Sequence, residues 1–464
     1  MEGHMFVGRE RELKKLNTLY KSDQFEFAVF YGRRRVGKTT LIKEFIKDKN
    51  AYYYMAIEGT AAENLAGLSA SVISSGGHIS FSSFEELFQH IDRTCNDERQ
   101  ILVIDEYPYL AASYPAISSL LQSHIDNCWL NSKLFLILCG SSMSFMENQV
   151  LGYKSPLYGR RSAQFKLRPF TFFEAKQMLE TYAPEEQAIL YGITGGIPEY
   201  LNRIKPSMSV DENILDLFFD ESGRLFEEPV NLLKQELKDP ASYHSIISAI
   251  ASGCSRMNEI ATKAGLETGG CSNLLTSLIS LGIVKREIPI TEKEGSRKTL
   301  YQLCDNMFLF WYRFVRPNIS AISRGAGDTV YYNNVKPQLT DFMGKIFEEM
   351  CTQYLFLPDV YDTAPFPIGN IGRWWGTNPK TRNQEEIDIV AVSENDVILG
   401  ECKWRNAPVD SNVVQTLLDR GNLLPYPHKY FYIFSKTDFT ESAYSLGNQN
   451  HVRMICFEEM FSNN

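Results

Sequence analysis

"FEFAVFYGRRRVGKTTLIKEFIKD", residues 25–48, decides how the first half of the chain is built. The run from Phe25 is short, apolar and strand-like, and it ends at Gly32. The run from Thr39 has apolar residues at helical spacing. Between them, "GRRRVGKT" fits G-x-x-x-x-G-K-[ST]. Each part has a physical purpose. The two glycines let the backbone curl, so that successive N–H groups point inward at phosphate oxygens. The helix that follows adds its positive N-terminus. In such a loop Lys38 reaches the β- and γ-phosphates and the Thr39 hydroxyl binds Mg²⁺. Gly32, Arg33, Arg34, Arg35, Val36, Gly37, Lys38, Thr39 and Thr40 are therefore the candidate ATP-binding loop.

Two more apolar runs lie outward of this loop, "RQILVIDEYPYL" from Arg99 and "KLFLILCGSS" from Lys133. Apolar strands alternating with helical stretches predict a parallel sheet covered on both faces. Asp105, at the carboxyl end of its strand, can hold the Mg²⁺ shell through water. Glu106 beside it can polarise the attacking water. Ser141 follows the other strand and can present a polar group to the γ-phosphate. The bland readings are an acidic turn for the pair and a capping serine for Ser141.

The chain has 464 residues, 44% hydrophobic and 22% charged, an ordinary globular composition. That length corresponds to about three domains. Apolar runs such as "LFLILC" from Leu134 are strand-length, so no membrane span is expected. The N-terminus lacks the apolar core of a secretory signal. Nine cysteines without a CxxC pair suggest reduced thiols in a cytoplasmic protein. A net charge of -9 argues against a generic polyanion binder but leaves room for a local basic surface.

The ordered set "FVGRERELKKL" (Phe6 to Leu16), the phosphate loop, "VIDE", "CGSS", "SPLYGRR" (Ser155 to Arg161) and "GGIPEYL" (Gly195 to Leu201) resembles archaeal-type P-loop ATPases of the AAA+/STAND assemblage. The resemblance covers nearly the whole chain, because winged-helix and C-terminal domains usually follow such a core. It implies that Val7 and Gly8 lie against the adenine, and that Gly196 and Pro198 form a lid corner near the base. It also implies that Arg160 or Arg161 is an arginine finger or sensor for the transferred phosphoryl group. Whether these arginines act in cis or on a neighbouring subunit of a homo-oligomer stays open.

The expected organisation is a P-loop core over 1–205, a helical lid over 206–240, a winged helix-turn-helix over 241–317, a polar linker over 318–336 and a last α/β domain over 337–464. In the winged-helix segment "NEIATKAG" and "CSNLLTSLISLG" are the two helices of the motif, and "IVKREIPI" with "RKTLYQL" makes the wing. No Lys or Arg lies between Leu266 and Gly282, and only Asn273 suits a base edge. Sequence readout is not supported. The wing carries Lys285, Arg286, Lys293, Arg297 and Lys298 against Glu287, Glu292 and Glu294. DNA is therefore a candidate partner through phosphate contact, and packing between domains is the competing role.

The last domain carries "IDIVAVSENDVILGECKW", residues 387–404. Glu401 and Lys403 project from one face of a strand, because the strand period is two. Asp388 in an apolar run is costly without a partner. Asp388 and Glu401 can supply oxygen ligands to Mg²⁺, with Lys403 orienting or helping to deprotonate a water. The pattern resembles the PD-(D/E)xK restriction-endonuclease-like fold. By that resemblance Glu348 is the helical acid of the metal site, with Glu349 the competing choice. Gln415 matches a polar position on a later helix, and "RWWG" at Arg373 is either near the groove or, the favoured reading, a packing segment through its tryptophans. Two functions follow: an ATP-regulated DNA-processing enzyme, in defence or mobile-element control, or a signalling or scaffolding ATPase whose last domain binds without cutting.

Overall fold

The computed structural model describes residues 6–73, 81–95, 98–237 and 239–462. The chain divides into two compact units. The first is Met1–Pro169 with Ile197–Glu199, and the second is Phe170–Gly196 with Tyr200–Asn464.

The first unit is built on β1 (Glu26–Tyr31), β2 (Ala51–Met55), β3 (Gln100–Asp105), β4 (Leu134–Gly140) and β5 (Ala163–Lys166). They form one sheet in the order β2-β3-β4-β1-β5, and every pairing is parallel. Every residue of β3 and β4 is buried. That explains their unbroken Ile/Leu/Val runs, because helices cover both faces of a parallel sheet. One core cluster packs Val29, Leu102, Ile104, Leu136 and Leu138 against Leu87, Phe88, Ile91 and Trp129. The crossover order sets the carboxyl ends of β1, β4 and β3 side by side on one edge. In open α/β sheets that edge is where ligands bind.

The second unit starts with helices. Phe172–Ala175 is capped by Thr171 and Glu174 in a reciprocal box, and Pro184–Thr194 is almost wholly buried toward its C-terminal end. The expected lid contains the helices Val210–Phe218 and Glu228–Glu236. Three helices follow, Pro240–Ala251, Met257–Ala264 and Thr268–Ser280. Then comes an antiparallel ribbon of β6 (Val284–Glu287) and β7 (Leu300–Leu303).

The chain ends in a mixed sheet, β8 (Asn370–Thr377), β9 (Gln384–Val392), β10 (Asp396–Lys403), β11 (His428–Ser435) and β12 (Arg453–Cys456), in the order β12-β11-β10-β9-β8. The pairs β8–β9 and β9–β10 are antiparallel, and β10–β11 and β11–β12 are parallel. The helix Ser411–Gly421 bridges β10 and β11, and its Val414 and Leu417 pack with Val390, Val397, Leu399 and Ile433. The long helix Leu339–Tyr354 precedes the sheet.

The first compact unit closes at Pro169, within the expected core over 1–205, and the helices after Phe170 count with the second unit. One expected segment differs from the structure. Residues 318–336 are not a polar linker. They hold the short helices Ile319–Ile322, Gly327–Val330 and Tyr331–Val335, with Ile322, Val330, Tyr331 and Val335 buried. The Tyr331 hydroxyl donates to Asp211 at 2.6 Å. The glycine of "GD" in this stretch is a packing residue: a Cβ on Gly327 would lie 1.9 Å from the Phe219 carbonyl oxygen. Small and polar composition here reflects close helix approach, which is why it imitates a loop.

Candidate functional site

The phosphate-loop edge is organised by backbone geometry. Gly32 has φ 152°, and a Cβ there would lie 2.4 Å from the Leu167 oxygen, so no side chain fits. Gly37 closes the loop at φ 88° and caps the helix Lys38–Ile46. Lys38 is only 6% exposed, and its ammonium donates to the carbonyls of Gly32 and Arg33, each at 2.9 Å. Pro198 borders the loop, its Cγ 3.9 Å from the Cβ position of Gly37. Val7 is half-buried and Gly8 buried. Arg9, which follows them, donates to the carbonyls of Val36 at 3.2 Å and Arg168 at 2.5 Å. Arg34 donates to the Tyr109 hydroxyl at 3.2 Å. Arg35 has φ 72°, and Thr40 is exposed.

The acidic side of the edge is equally connected. Asp105 is 1% exposed; its Oδ2 accepts from the Thr39 hydroxyl at 2.7 Å and from the Tyr53 hydroxyl at 2.8 Å. Burial, and next the Asp105 charge, push the Tyr53 phenol far above its ordinary range. Glu106 sits at φ 49°, a left-handed conformation that is uncommon for a side chain of this kind. Its carboxylate accepts from the Ser141 hydroxyl at 2.9 Å and the Ser141 N–H at 3.3 Å. Ser141 therefore engages Glu106, the partner across the gap between β3 and β4.

The two arginines part company. Arg160 grips Asp126 with two bonds, Nε at 2.7 Å and a terminal nitrogen at 2.6 Å, and also donates to the carbonyls of Pro156 and Tyr158. That grip holds the Asp126 carboxyl below its usual range. Among the described residues, Arg161 makes no hydrogen bond or ion pair. Gly196, in the second unit, accepts from the Phe170 N–H at 2.8 Å.

The C-terminal sheet brings its acids together by register. The antiparallel pairing of β9 and β10 runs from Val392↔Val397 to Ile389↔Gly400. One further step sets Asp388 opposite Glu401. Asp388 accepts from the Cys402 N–H at 2.9 Å. Burial, then the Glu401 and Glu348 carboxylates, push its pKa up to about 7. Glu401, 6% exposed, accepts from Lys403 at 2.6 Å and Arg420 at 3.1 Å. Burial works against the charge on Lys403, but Glu401 outweighs it and the ammonium is held above its usual value. Burial also raises Glu348, opposed by Arg373 and Lys345. Glu349 is raised by burial and hydrogen-bonds Gln353 at 3.2 Å, so Glu348 is the helical acid whose charge reaches Asp388.

The carboxylates of Glu348, Asp388 and Glu401 are not drawn into one tight cluster. Among the described residues, the group of such ligand atoms within 4.8 Å of one another is Asp92, His124 and Cys128. There the His124 Nδ1 faces Asp92 at 3.0 Å and the Trp129 N–H donates to Asp92 at 2.5 Å, a network that ties two helices of the first unit.

Sequence reasoning missed several residues. Arg9 and Tyr53 lie far from the motif in sequence and reach it only through the fold. Arg420 is on the helix that carries Gln415, but Gln415 is exposed and turned to Asp419 at 3.0 Å, so Arg420 is the side chain that reaches the acids. A basic residue one turn further along that helix was the available signal. Lys345 precedes Glu348 by one turn; burial, then Arg373 and Lys285, push its pKa down to about 8.

Among the described residues, no helix is long and apolar enough to cross a membrane. Residues 6–204 match the family described as an ATPase domain predominantly from Archaea. Residues 311–415 match DUF234, described as archaeal and bacterial proteins of unknown function. The uncharacterized protein MJECL04 of Methanocaldococcus jannaschii is 34% identical over 405 residues, covering 87% of this chain and 88% of that one. The uncharacterized ATP-binding protein MJ0423 of the same organism is 47% identical over 45 residues, 10% of this chain and 76% of that protein. Among solved structures, the Walker-type ATPase PABY2304 of Pyrococcus abyssi aligns with a TM-score of 0.50 at 19% identity, over 66% of this chain and 96% of that one, a likeness of fold. With the phosphate loop, the acids of β3 and this coverage in agreement, the chain belongs to the archaeal-type P-loop ATPase family, with an ATPase domain at its N-terminal end and a DUF234 region behind it.

Proposed function

We propose that this protein is an ATP-hydrolysing switch that controls a nuclease-like C-terminal domain acting on DNA. The observation that carries the first half is the shared edge of β1, β4 and β3, where Lys38, Thr39, Asp105, Glu106 and Ser141 converge. The oxygen donors of Thr39 and Asp105, 2.7 Å apart, suit Mg²⁺. When bound, that ion neutralises charge on the phosphates. Lys38 transfers its ammonium from the loop carbonyls to the β- and γ-phosphates. Glu106, once released from Ser141, orients the attacking water. Val7, Gly8 and Pro198 flank the base. Arg160 is committed to Asp126, so Arg161 is the better candidate for a finger, in cis or on a neighbouring subunit.

The second half rests on Asp388, Glu401 and Lys403. Glu401, which is buried, and Asp388, which is half-buried and whose pKa is raised by desolvation and then by Glu401, fit a divalent cation that would relieve their repulsion. Asp388 and Glu401, with Glu348 beside them, would hold it; when bound, it supplies a Lewis acid and an acidified water. Lys403 would orient a water against a phosphodiester. The three helices and ribbon over 240–303 suit a winged helix. Lys285 and Lys298 are paired with Glu287 and Glu292, so DNA phosphates would meet chiefly Arg286, Lys293 and Arg297. Nine free thiols suit a cytoplasmic setting.

One observation favours a second reading, a signalling or scaffolding ATPase. Glu401 is already neutralised within the chain by Lys403 and Arg420. The test is to incubate the intact protein with Mg²⁺-ATP, Mn²⁺ and supercoiled plasmid. Phosphate release that Lys38→Ala removes, with nicking that Asp388→Ala removes, is the expected result. Absent phosphate release refutes the switch. Release without nicking moves the protein to the scaffolding reading.

A further inference from the structure

The ribbon of β6 and β7 is docked on the C-terminal sheet. In its connecting loop the Ile290 N–H donates to the Arg373 carbonyl at 3.0 Å. The Ile290 side chain lies over Gly372, where an added Cβ would meet Cδ1 at 3.3 Å. Glu287 of β6 faces the Arg373 guanidinium at 3.6 Å, and Arg373 in turn faces Glu348 at 3.5 Å.

Between ribbon and sheet lies a cavity of about 290 Å³. Lys285, Glu287 and Gln302 line it from the ribbon, and Lys345, Glu348 and Asp388 from the other side. This is the smallest size of a small-ligand pocket, roughly 300 Å³, and no duplex enters it. Its lining mixes charged side chains with apolar ones such as Leu303, Leu309 and Ile371. Gln302 Oε1 is buried without a hydrogen-bond partner, and Glu287 Oε2 and Arg373 Nε are buried with only the long ion pairs above. Buried polar atoms left in that state are costly, and a permanent interface satisfies them. The attachment includes the Ile290–Arg373 backbone hydrogen bond, the long Glu287–Arg373 ion pair and the Ile290 side chain, which packs at the margin of the C-terminal core. A small interface that is only partly apolar permits relative motion of the pieces it joins.

We propose that the ribbon is a removable cover over the Asp388 site, latched through Ile290 and Glu287 to Arg373, and that a nucleic-acid strand reaches Asp388 only when the ribbon lifts. This rests on the nuclease-like reading given above. Lifting frees Lys345 and Arg373, which line the cavity beside Glu348 and Asp388, to meet the phosphates of the strand. Lys285 of the ribbon, which lines the cavity in the closed state, would turn to the nucleic acid in the open one.

The geometry supplies a lock. The Cβ position of Gly372 is 3.8 Å from the Ile290 Cβ, in the middle of the range that a disulfide spans. The double variant Ile290→Cys/Gly372→Cys, in the full chain, should form that disulfide on mild oxidation, identified by peptide mass spectrometry. Acetylation of Lys345 should then be at least fivefold slower in the oxidised protein than in the same protein reduced. Mn²⁺-dependent nicking of plasmid should fall at least tenfold and return on reduction, while ATP hydrolysis stays constant. Glu287→Gln, which loosens the latch, should raise nicking at least threefold. Failure of the disulfide to form, equal Lys345 labelling in both states, or undiminished nicking by the locked protein would each overturn the cover. Slower labelling with no nicking in any form keeps the cover and sinks the nuclease-like reading alone.

Discussion

The phosphate-loop edge and the C-terminal acidic site handle charge in opposite ways. At the first, the charged groups are held by the backbone or by one another in pairs that a nucleotide can take over: Lys38 on two loop carbonyls, Glu106 on Ser141. At the second, the acids are matched by side chains from distant segments: Glu401 by Lys403 and Arg420, Glu348 by Arg373. A site whose anchor is backbone geometry is ready for an anion. A site whose acids already have cations must exchange partners before it binds a metal and a strand. The comparison teaches why the first half of the molecule reads as an ATPase at once, and why the second needs an opening step.

The largest effect that can break the comparison lies at Lys38. Lys38→Ala removes a buried charge from the β/γ-phosphate position, and ATP affinity by calorimetry should fall at least ~100-fold, about 3 kcal/mol. Unchanged affinity would mean that the loop does not hold the phosphates. At the other site, Asp388→Ala and Glu401→Ala should abolish Mn²⁺ binding and nicking together, whereas Lys403→Ala should retain the metal and lose nicking. A Lys403→Ala protein that also loses the metal would make the lysine a structural partner of Glu401.

A pH series sharpens the contrast. Asp388 titrates at about 7 in the folded protein, above its ordinary value of 3.8. The folded state thus holds that proton more tightly than the unfolded chain. The stability this contributes is complete below the ordinary value and is lost as pH rises from about 4 through 7. Denaturant melts of Asp388→Asn should lack that part of the decline. Metal needs the carboxylate, so Mn²⁺ affinity should rise about tenfold per pH unit up to 7 and level off above it. A flat profile from pH 5 to 8 would show that Asp388 is not a ligand.

How much of this was legible in the sequence follows from the same contrast. The phosphate loop is contiguous, and each residue type is dictated by the loop's own geometry, so "GRRRVGKT" could be read without the fold. The strand runs before Asp105 and Ser141 were legible because burial on both faces demands unbroken apolar residues. The facing of Asp388 and Glu401 was legible through the strand period and the hairpin. Arg9, Tyr53, Arg420 and the ribbon's docking on Arg373 were not, because each joins segments tens of residues apart and no local pattern encodes the approach. The stretch before Leu339 misled for a related reason: small residues that permit close helix packing look like a linker when their neighbours are unknown.

The smallest effect is expected at Arg160. Its guanidinium is spent on Asp126, so Arg160→Ala should change ATP turnover by less than about threefold, while Arg161→Ala should lower it more. Exposed pairs of this kind contribute little to stability. A severe loss of turnover in Arg160→Ala, with Arg161→Ala normal, would reverse the assignment.

The central claim, that ATP is cleaved at the shared edge of β1, β4 and β3 with Glu106 positioning the water, is tested most directly by single-turnover hydrolysis in Glu106→Gln. The substitution keeps the shape and removes the carboxylate, and loss of a general base of this kind costs about 100- to 10,000-fold. The variant should bind Mg²⁺-ATP as tightly as the parent and hold it uncleaved. Hydrolysis at the parental rate would contradict the account and move the catalytic group elsewhere.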